Sequence, residues 1–292
     1  MQSYINTMRN LYAVRFFSYF CPQNELKAMN FKRPFILVSN DDGYHAKGIN
    51  CLIDMLSDMA DLLVCAPEYV RSGYSCAFSA ATPLRLKLRR ESEGYQMWSC
   101  NGTPVDCVKL AFSEFCRERK PDLVIGGINH GDNASVNTHY SGTMGVAMEG
   151  CMKGVPSVAF SLANHDSQAD FEPLRPYVRQ MVEELLRTGL PDGVCLNVNF
   201  PAIPSFKGVR MCRMARGEWI NECSKSVHPF GYDYFWMAGS YSDMEPESRD
   251  TDSHALREGY VAVTPTRLDV TDYDMLNRLR AWETMMPARQ QP

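Results

Sequence analysis

From Arg33 onward, short apolar runs alternate with amphipathic stripes, the signature of a parallel sheet covered by helices on both faces. Phe35 to Val38 is aromatic and branched throughout, as a strand buried on both faces would be. Gly48 to Ala60 places Ile49, Leu52, Ile53, Leu56 and Met59 on one helical stripe. Leu62 to Ala66 predicts a second strand, stopped by Pro67. Leu84 to Leu88 and Tyr95 to Ser99 predict a hairpin around the polar Arg89 to Gly94 turn. Thr103 and Pro104 are cap and first turn of a helix through Val108, Leu110, Ala111 and Phe115. Asp122 to Ile125 is the next buried strand, followed by a loop over Gly126 to Gly131, and Ser141-Gly142-Thr143 opens a helix to about Lys153. Strands over Ser157 to Ser161 and Val194 to Asn199 flank a helix over about Pro176 to Arg187. Beyond Pro201 the period changes. Val209 to Met214, Tyr232 to Ala238 and Tyr260 to Thr264 predict an antiparallel appendage, with a last helix near Met275 to Trp282. The predicted class is α/β, a mostly parallel sheet with helices on both faces and an antiparallel appendage near the C-terminus.

Composition narrows the function classes. The 292 residues carry 30 Lys and Arg against 34 Asp and Glu, a formal charge of −4, with none of the clustered basic charge that polymeric nucleic acid or an anionic membrane would require. No run of eighteen apolar residues occurs, so no transmembrane helix is predicted. The eleven cysteines include no Cys-x-x-Cys pair, which reads as free thiols in a reducing cytoplasm, with Cys65, Cys107 and Cys195 as small core residues. Leu11 to Cys21 is apolar, but Arg15 interrupts it and no small-residue cleavage site follows. Residues 1–32 therefore read as a non-core extension, or as upstream of a natural start at Met29, with a secretory leader as the competing reading.

The chemistry gathers where strands end. Asn40, Asp41, Asp42 and Gly43 favour a turn, so two adjacent carboxylates sit where the first strand leaves the sheet, the edge on which open α/β folds bind ligands. Neighbouring carboxylates repel unless a cation or shared proton relieves them. Ser72, and Asn129 with Asn133, follow other strands and can converge on the same crevice. Carboxylate, hydroxyl and amide oxygens without His or Cys partners suit Mg²⁺, Mn²⁺ or Ca²⁺. Ser141-Gly142-Thr143 at a helix start is a candidate anion cradle, and a hard cation beside such a cradle is the equipment of phosphoryl transfer. Each piece alone also has a plain reading: a capped turn, an N-cap, loop amides, and hydrogen-bonded surface histidines for His45 and His130.

Together the motifs resemble the SurE family of survival-protein nucleotidases. The resemblance runs in order through Ser39-Asn40-Asp41-Asp42-Gly43-Tyr44-His45-Ala46-Lys47-Gly48-Ile49, Ala66-Pro67, Arg71-Ser72-Gly73 and Gly102-Thr103-Pro104-Val105-Asp106-Cys107-Val108. It continues through Gly127-Ile128-Asn129-His130-Gly131-Asp132-Asn133, Tyr140-Ser141-Gly142-Thr143 and Ala147-Met148-Glu149-Gly150, and ends with Thr251-Asp252 and Gly259 to Pro265. It implies a divalent-metal-dependent phosphatase acting on nucleoside 5′- and 3′-monophosphates, some members also cleaving short polyphosphate, with one Mg²⁺ or Mn²⁺ held by Asp41, Asp42, Ser72 and Asn129. Asn133, Ser141, Gly142 and Thr143, with backbone help near Gly43, would contact phosphate. Asp41 and Asp42 would be catalytic, Asp42 orienting the water. The resemblance also implies a Rossmann-like α/β core with a C-terminal β-hairpin extension swapped between subunits of a homodimer or homotetramer. On this reading residues 33–273 form the phosphatase domain, with an appendage at about 208–250, and 274–292 a C-terminal helix and tail. The segment from Arg213 to Ser248 matches the family poorly and would border the nucleoside pocket. A phospho-aspartate route is the mechanistic alternative, although Asp41-Asp42-Gly43 lacks the Asp-x-Asp spacing of the haloacid-dehalogenase type. A dinucleotide-binding oxidoreductase lacks its Gly-x-Gly-x-x-Gly, and a non-catalytic metal- or nucleotide-sensing module remains the functional alternative.

Overall fold

The computed structural model of the chain describes residues 33–285, so the readings of residues 1–32 and of the end of the tail lie outside it. The strands of the main sheet are β1 Phe35–Ser39, β2 Asp61–Pro67, β3 Leu86–Ser92, β4 Tyr95–Cys100, β5 Leu123–His130, β6 Ser157–Leu162, β7 Val194–Phe200, β8 Val209–Met211 and β13 Val261–Arg267. They lie in the order β3-β4-β2-β1-β5-β6-β7-β13-β8. The run from β4 to β7 is parallel throughout, and antiparallel pairings occur only at β3–β4 and β7–β13. Crossovers between parallel strands are usually helices, which here are α1 Lys47–Leu56, α2 Pro104–Glu114, α3 Gly142–Met152 and α4 Arg175–Thr188. Every residue of β1, β2 and β6 is buried, which explains their unbroken apolar reading.

Packing fixes the elements around the site. α1 leans so closely on β5 that a Cβ on Gly48 would run into the Ile128 carbonyl. α2 is capped as the sequence predicts: Thr103 accepts from the Asp106 N–H at 3.1 Å, and Asp106 accepts from the Thr103 N–H at 2.9 Å. The same Asp106 carboxylate takes the Ser79 N–H and hydroxyl, tying the loop after β2 to the helix start. All described cysteines are free thiols, and Cys65, Cys107 and Cys195 are fully buried.

Several boundaries differ from the sequence reading. The first helix stops at Leu56, four residues early, and the hairpin strand β3 runs through Ser92. Gly126 to His130 is strand, not loop. Gly126 belongs to β5 because the Thr143 carbonyl backs directly onto it, leaving no room for a side chain. Tyr260 to Thr264 and the start of Val209 to Met214 are not in the appendage. They form β13 and β8 of the main sheet, and the register of β13 on β7, from Ala262–Asn199 to Arg267–Val194, shows why. The appendage itself is two antiparallel pairs. β9 Gly217–Ile220 pairs with β12 Ser240–Asp243, and between them β10 Cys223–Val227 pairs with β11 Asp233–Met237. Its two ends meet at one point, where the Arg213 N–H reaches the Asp250 carbonyl and the Asp252 N–H returns to the Arg213 carbonyl, both at 3.0 Å. Asp252 opens α5, Asp252–Arg257. The last helical stretch is split into α6 Tyr273–Leu279 and α7 Ala281–Met285.

Candidate active site

Asp41 and Asp42 leave the carboxyl end of β1, and the turn after them is shaped by Asn40, whose amide donates to the Gly43 carbonyl at 3.0 Å. Gly43 sits at φ +96°, a conformation glycine takes without strain. The Tyr44 N–H then bonds the Pro67 carbonyl, so the end of β2 comes alongside. From there the Arg71 N–H donates to the Asp41 carbonyl at 2.7 Å, which brings exposed Ser72 to the carboxylates. Ser75 fastens the far side of that loop, its N–H to the Tyr140 carbonyl and its hydroxyl to the His139 carbonyl.

β5 supplies Asn129. Its amide nitrogen donates to the Gly131 carbonyl at 2.8 Å, and its amide oxygen faces the Thr143 hydroxyl at 3.5 Å. That hydroxyl donates to the Asp41 carboxylate at 2.6 Å. Ser141 is the N-cap of α3, accepting from the Met144 N–H at 2.9 Å, and the Thr143 backbone also helps hold the Asp41 charge. The helix start is thus aimed first at Asp41. Asn133 gives one amide N–H to Ser161 at 2.8 Å, and its backbone N–H goes to Asn199.

Electrostatically the pair is in tension. Burial, then the charge of neighbouring Asp42, pushes the Asp41 carboxyl up from its ordinary 3.8 to about 6, against the pull of the Thr143 hydroxyl. Burial also raises Asp42, partly offset by the His130 N–H, which donates to it at 3.1 Å, and by the His130 and His165 imidazoles. No Lys or Arg forms an ion pair with either carboxylate among the described residues. Nor do three or more His, Cys, Asp or Glu side chains cluster there as a metal site. The donor set is two carboxylates completed by neutral oxygens, which fits a hard divalent cation.

These residues surround a cavity of about 610 Å³, the size of a small-molecule site. Asp41, Ser72, Asn129, Asn133 and Ser141 line it. Asp42, Gly43, Gly142 and Thr143 are not part of that lining: Asp42 is half-buried beside Asp41, and Thr143 is fully buried with its hydroxyl on Asp41. His130 and His165 reach the wall, whereas His45 is exposed and outside it. The sequence reading placed the segment from Arg213 to Ser248 beside the pocket without naming residues; Trp219, Glu222 and Met237 of that segment line the cavity, as does Asn137, which the sequence reading missed. Gly142 shows how tight the near side is: a Cβ there would sit 2.8 Å from the Asp41 Cβ and 3.1 Å from Pro104 Cγ. Gly142→Ala is therefore expected to cost about 1–3 kcal/mol in equilibrium unfolding, and to weaken divalent-cation binding about 10- to 100-fold. Unchanged metal affinity would mean that Asp41 does not depend on that close approach.

The comparisons with known proteins agree with this geometry. The survival protein SurE family matches residues 36–221. The 5′-nucleotidase SurE of Phocaeicola vulgatus is 54% identical over 254 residues, spanning 87% of this chain and 98% of that protein. That of Bacteroides thetaiotaomicron is 48% identical over the same length and coverage. The crystal structure of the SurE protein from Aquifex aeolicus superposes with a TM-score of 0.73 at 34% identity, covering 86% of this chain and all of that one. A buried carboxylate pair at the end of β1, neutral oxygens from two further loops and matches along most of the chain lead to one statement: this chain belongs to the SurE family.

Proposed function

We infer that the chain is a metal-dependent phosphatase of nucleoside monophosphates. The observation that carries it is the uncompensated Asp41–Asp42 pair facing neutral oxygen donors beside the start of α3, in a chain 54% identical to a 5′-nucleotidase SurE. Asp41, Asp42, Ser72 and Asn129 would hold one cation, Mg²⁺ or Mn²⁺. Such an ion, when bound, neutralises charge on phosphate oxygens and lowers the pKa of water. The chain's own groups do the rest. Asp42 keeps one oxygen on the His130 N–H and would orient the attacking water. Asn133 keeps one amide N–H on Ser161 and gives its second to phosphate, joined by Ser141 and the backbone of Gly142 and Thr143, with Gly43 nearby. Both 5′- and 3′-monophosphates, and short polyphosphate, are proposed substrates.

The enzyme is proposed to work as a homodimer or homotetramer, since β11 exposes Trp236 and Met237 and β10 exposes Val227, with Phe230 in the turn between them 87% exposed. Free thiols support a cytoplasmic location, and no helix among the described residues is long and apolar enough to cross a membrane.

Phosphate release from nucleoside 5′- and 3′-monophosphates and tripolyphosphate, with Mg²⁺, with Mn²⁺ and with chelator, tests the reading. Asp42→Asn is expected to lose metal-dependent release about 10²-fold or more. Release that survives in the variant, or in chelator, would sink the site assignment. Proton competition adds a second expectation. With the metal-free Asp41 carboxyl at about 6, a cation must displace a proton below that pH and none above it. Calorimetric titration with Mn²⁺ is expected to show affinity nearly level above pH 7 and about tenfold weaker at pH 5. Equal affinity at both would contradict the assignment of Asp41 as a ligand.

A further inference from the structure

The cavity has two chemically different ends. Asp41, Ser72, Asn129 and Ser141 form the oxygen-rich one, and the appendage contributes Trp219 on β9 with Glu222, Met237, Ala238 and Gly239. Trp219 is half-buried, and its indole N–H donates to the Asn137 amide oxygen at 2.8 Å, 82 residues away in sequence. The Asn137 amide nitrogen faces the Asp132 carboxylate at 3.4 Å, which sets which way that amide is turned. Beside the indole, Gly239 offers no side chain; a Cβ there would sit 2.8 Å from the Ile220 carbonyl and 3.5 Å from Trp219 Cε3. The ring is therefore held at its polar edge and packed close to the Gly239 main chain. Core packing does not require a large aromatic on a cavity wall, and the phosphate chemistry at the other end makes no use of one.

We propose that Trp219 is the platform on which the substrate's nucleobase stacks, and that Asn137 is a positioning residue that holds the indole in place. The proposal rests on the nucleotidase reading and extends it to base selection. A fixed indole face attracts any heteroaromatic ring, and purines overlap it more than pyrimidines do. Phosphate esters without a base gain nothing from it.

The test compares wild type with Trp219→Ala, Trp219→Phe and Asn137→Ala on AMP, GMP, CMP, UMP and ribose 5-phosphate, under saturating Mn²⁺. Trp219→Ala is expected to lower kcat/KM for AMP and GMP about 10- to 100-fold and to leave ribose 5-phosphate within about threefold of wild type. The purine-over-pyrimidine ratio is expected to collapse toward one. Trp219→Phe, which keeps an aromatic face without the N–H, is expected to lose less than the alanine variant. Asn137→Ala is expected to raise KM for AMP with kcat unchanged. An equal fall on AMP and ribose 5-phosphate, or no fall on either, would overturn the platform while leaving the nucleotidase reading standing. Wild type that hydrolyses ribose 5-phosphate but no nucleotide would overturn both.

Discussion

Replacing Asp41 by asparagine is expected to silence phosphate release while making the metal-free protein harder to unfold. The two effects have one cause. Asp41 is 3% exposed, and its carboxyl is raised from 3.8 to about 6 by burial and by Asp42. A carboxyl raised on folding binds its proton more tightly in the folded state. Its ionisation therefore opposes folding: the penalty is absent below pH 3.8, grows through about 6 and is complete above. At pH 7.5 in chelator a shift of this size corresponds to about 3 kcal/mol. Asparagine removes the charge and still accepts the Thr143 hydroxyl, so a gain of about 1–3 kcal/mol is expected. Activity is expected to fall roughly 10³-fold, because the cation loses its most buried ligand. Chemical denaturation in chelator at pH 5 and pH 7.5 reads the first effect, the gain being larger at the higher pH. A variant less stable than wild type at pH 7.5 would contradict the electrostatic account.

Removal of the Asp252 side chain is expected to have the largest destabilising effect. Asp252 is fully buried, and its carboxylate accepts from the backbone N–H groups of Ser135 at 2.9 Å, Ala215 at 2.9 Å and Ser253 at 2.8 Å. Ser135 is held at φ +51°, and its hydroxyl donates to the Ala215 carbonyl while accepting from Tyr241. Asp252→Ala leaves these donors without an acceptor in a dry site, a cost of about 3–5 kcal/mol. Asp252→Asn keeps one accepting oxygen and is expected to cost about 1–2 kcal/mol. KM for nucleotides is expected to rise in the alanine variant, since Asn133 and Asn137 flank the loosened turn. An alanine variant within about 1 kcal/mol of wild type in urea unfolding would show that water reaches these N–H groups.

Much of this was legible in the chain itself. Phe35 to Val38 could be read because a strand buried on both faces has no polar alternation, and the Asn-Asp-Asp-Gly after it can only turn. Thr103, Pro104 and Asp106 announced α2 through local capping chemistry, which needs no knowledge of the rest of the fold. Gly126 and Gly127 misled, because glycine required by close packing looks the same in sequence as glycine required by a turn. Strands β9, β10 and β12 bury no residue fully, and β9 shows its half-buried face only through Gly217 and Trp219, too few positions to mark a period. β13 was visible as a strand, but which sheet it joins depends on pairing with β7, and periodicity does not encode partners. Of the site, the oxygen-rich end lay in contiguous motifs. Asn137 and Trp219 meet only through the fold, and neither carries a local sign of its role.

The appendage leaves and rejoins the sheet through the single junction at Arg213, Asp250 and Asp252. A segment whose chain ends meet at one junction, and whose other ties described above (Trp219 to Asn137, Tyr241 and Ala215 to Ser135) run to one short turn, can be exchanged as a cassette. Transplanting residues 215–250 between relatives would transfer the lining of one half of the cavity and leave Asp41, Asp42 and Asn129 where they are. Selection could thus retune which nucleotide is hydrolysed without disturbing how, and a laboratory chimera could do the same in one step.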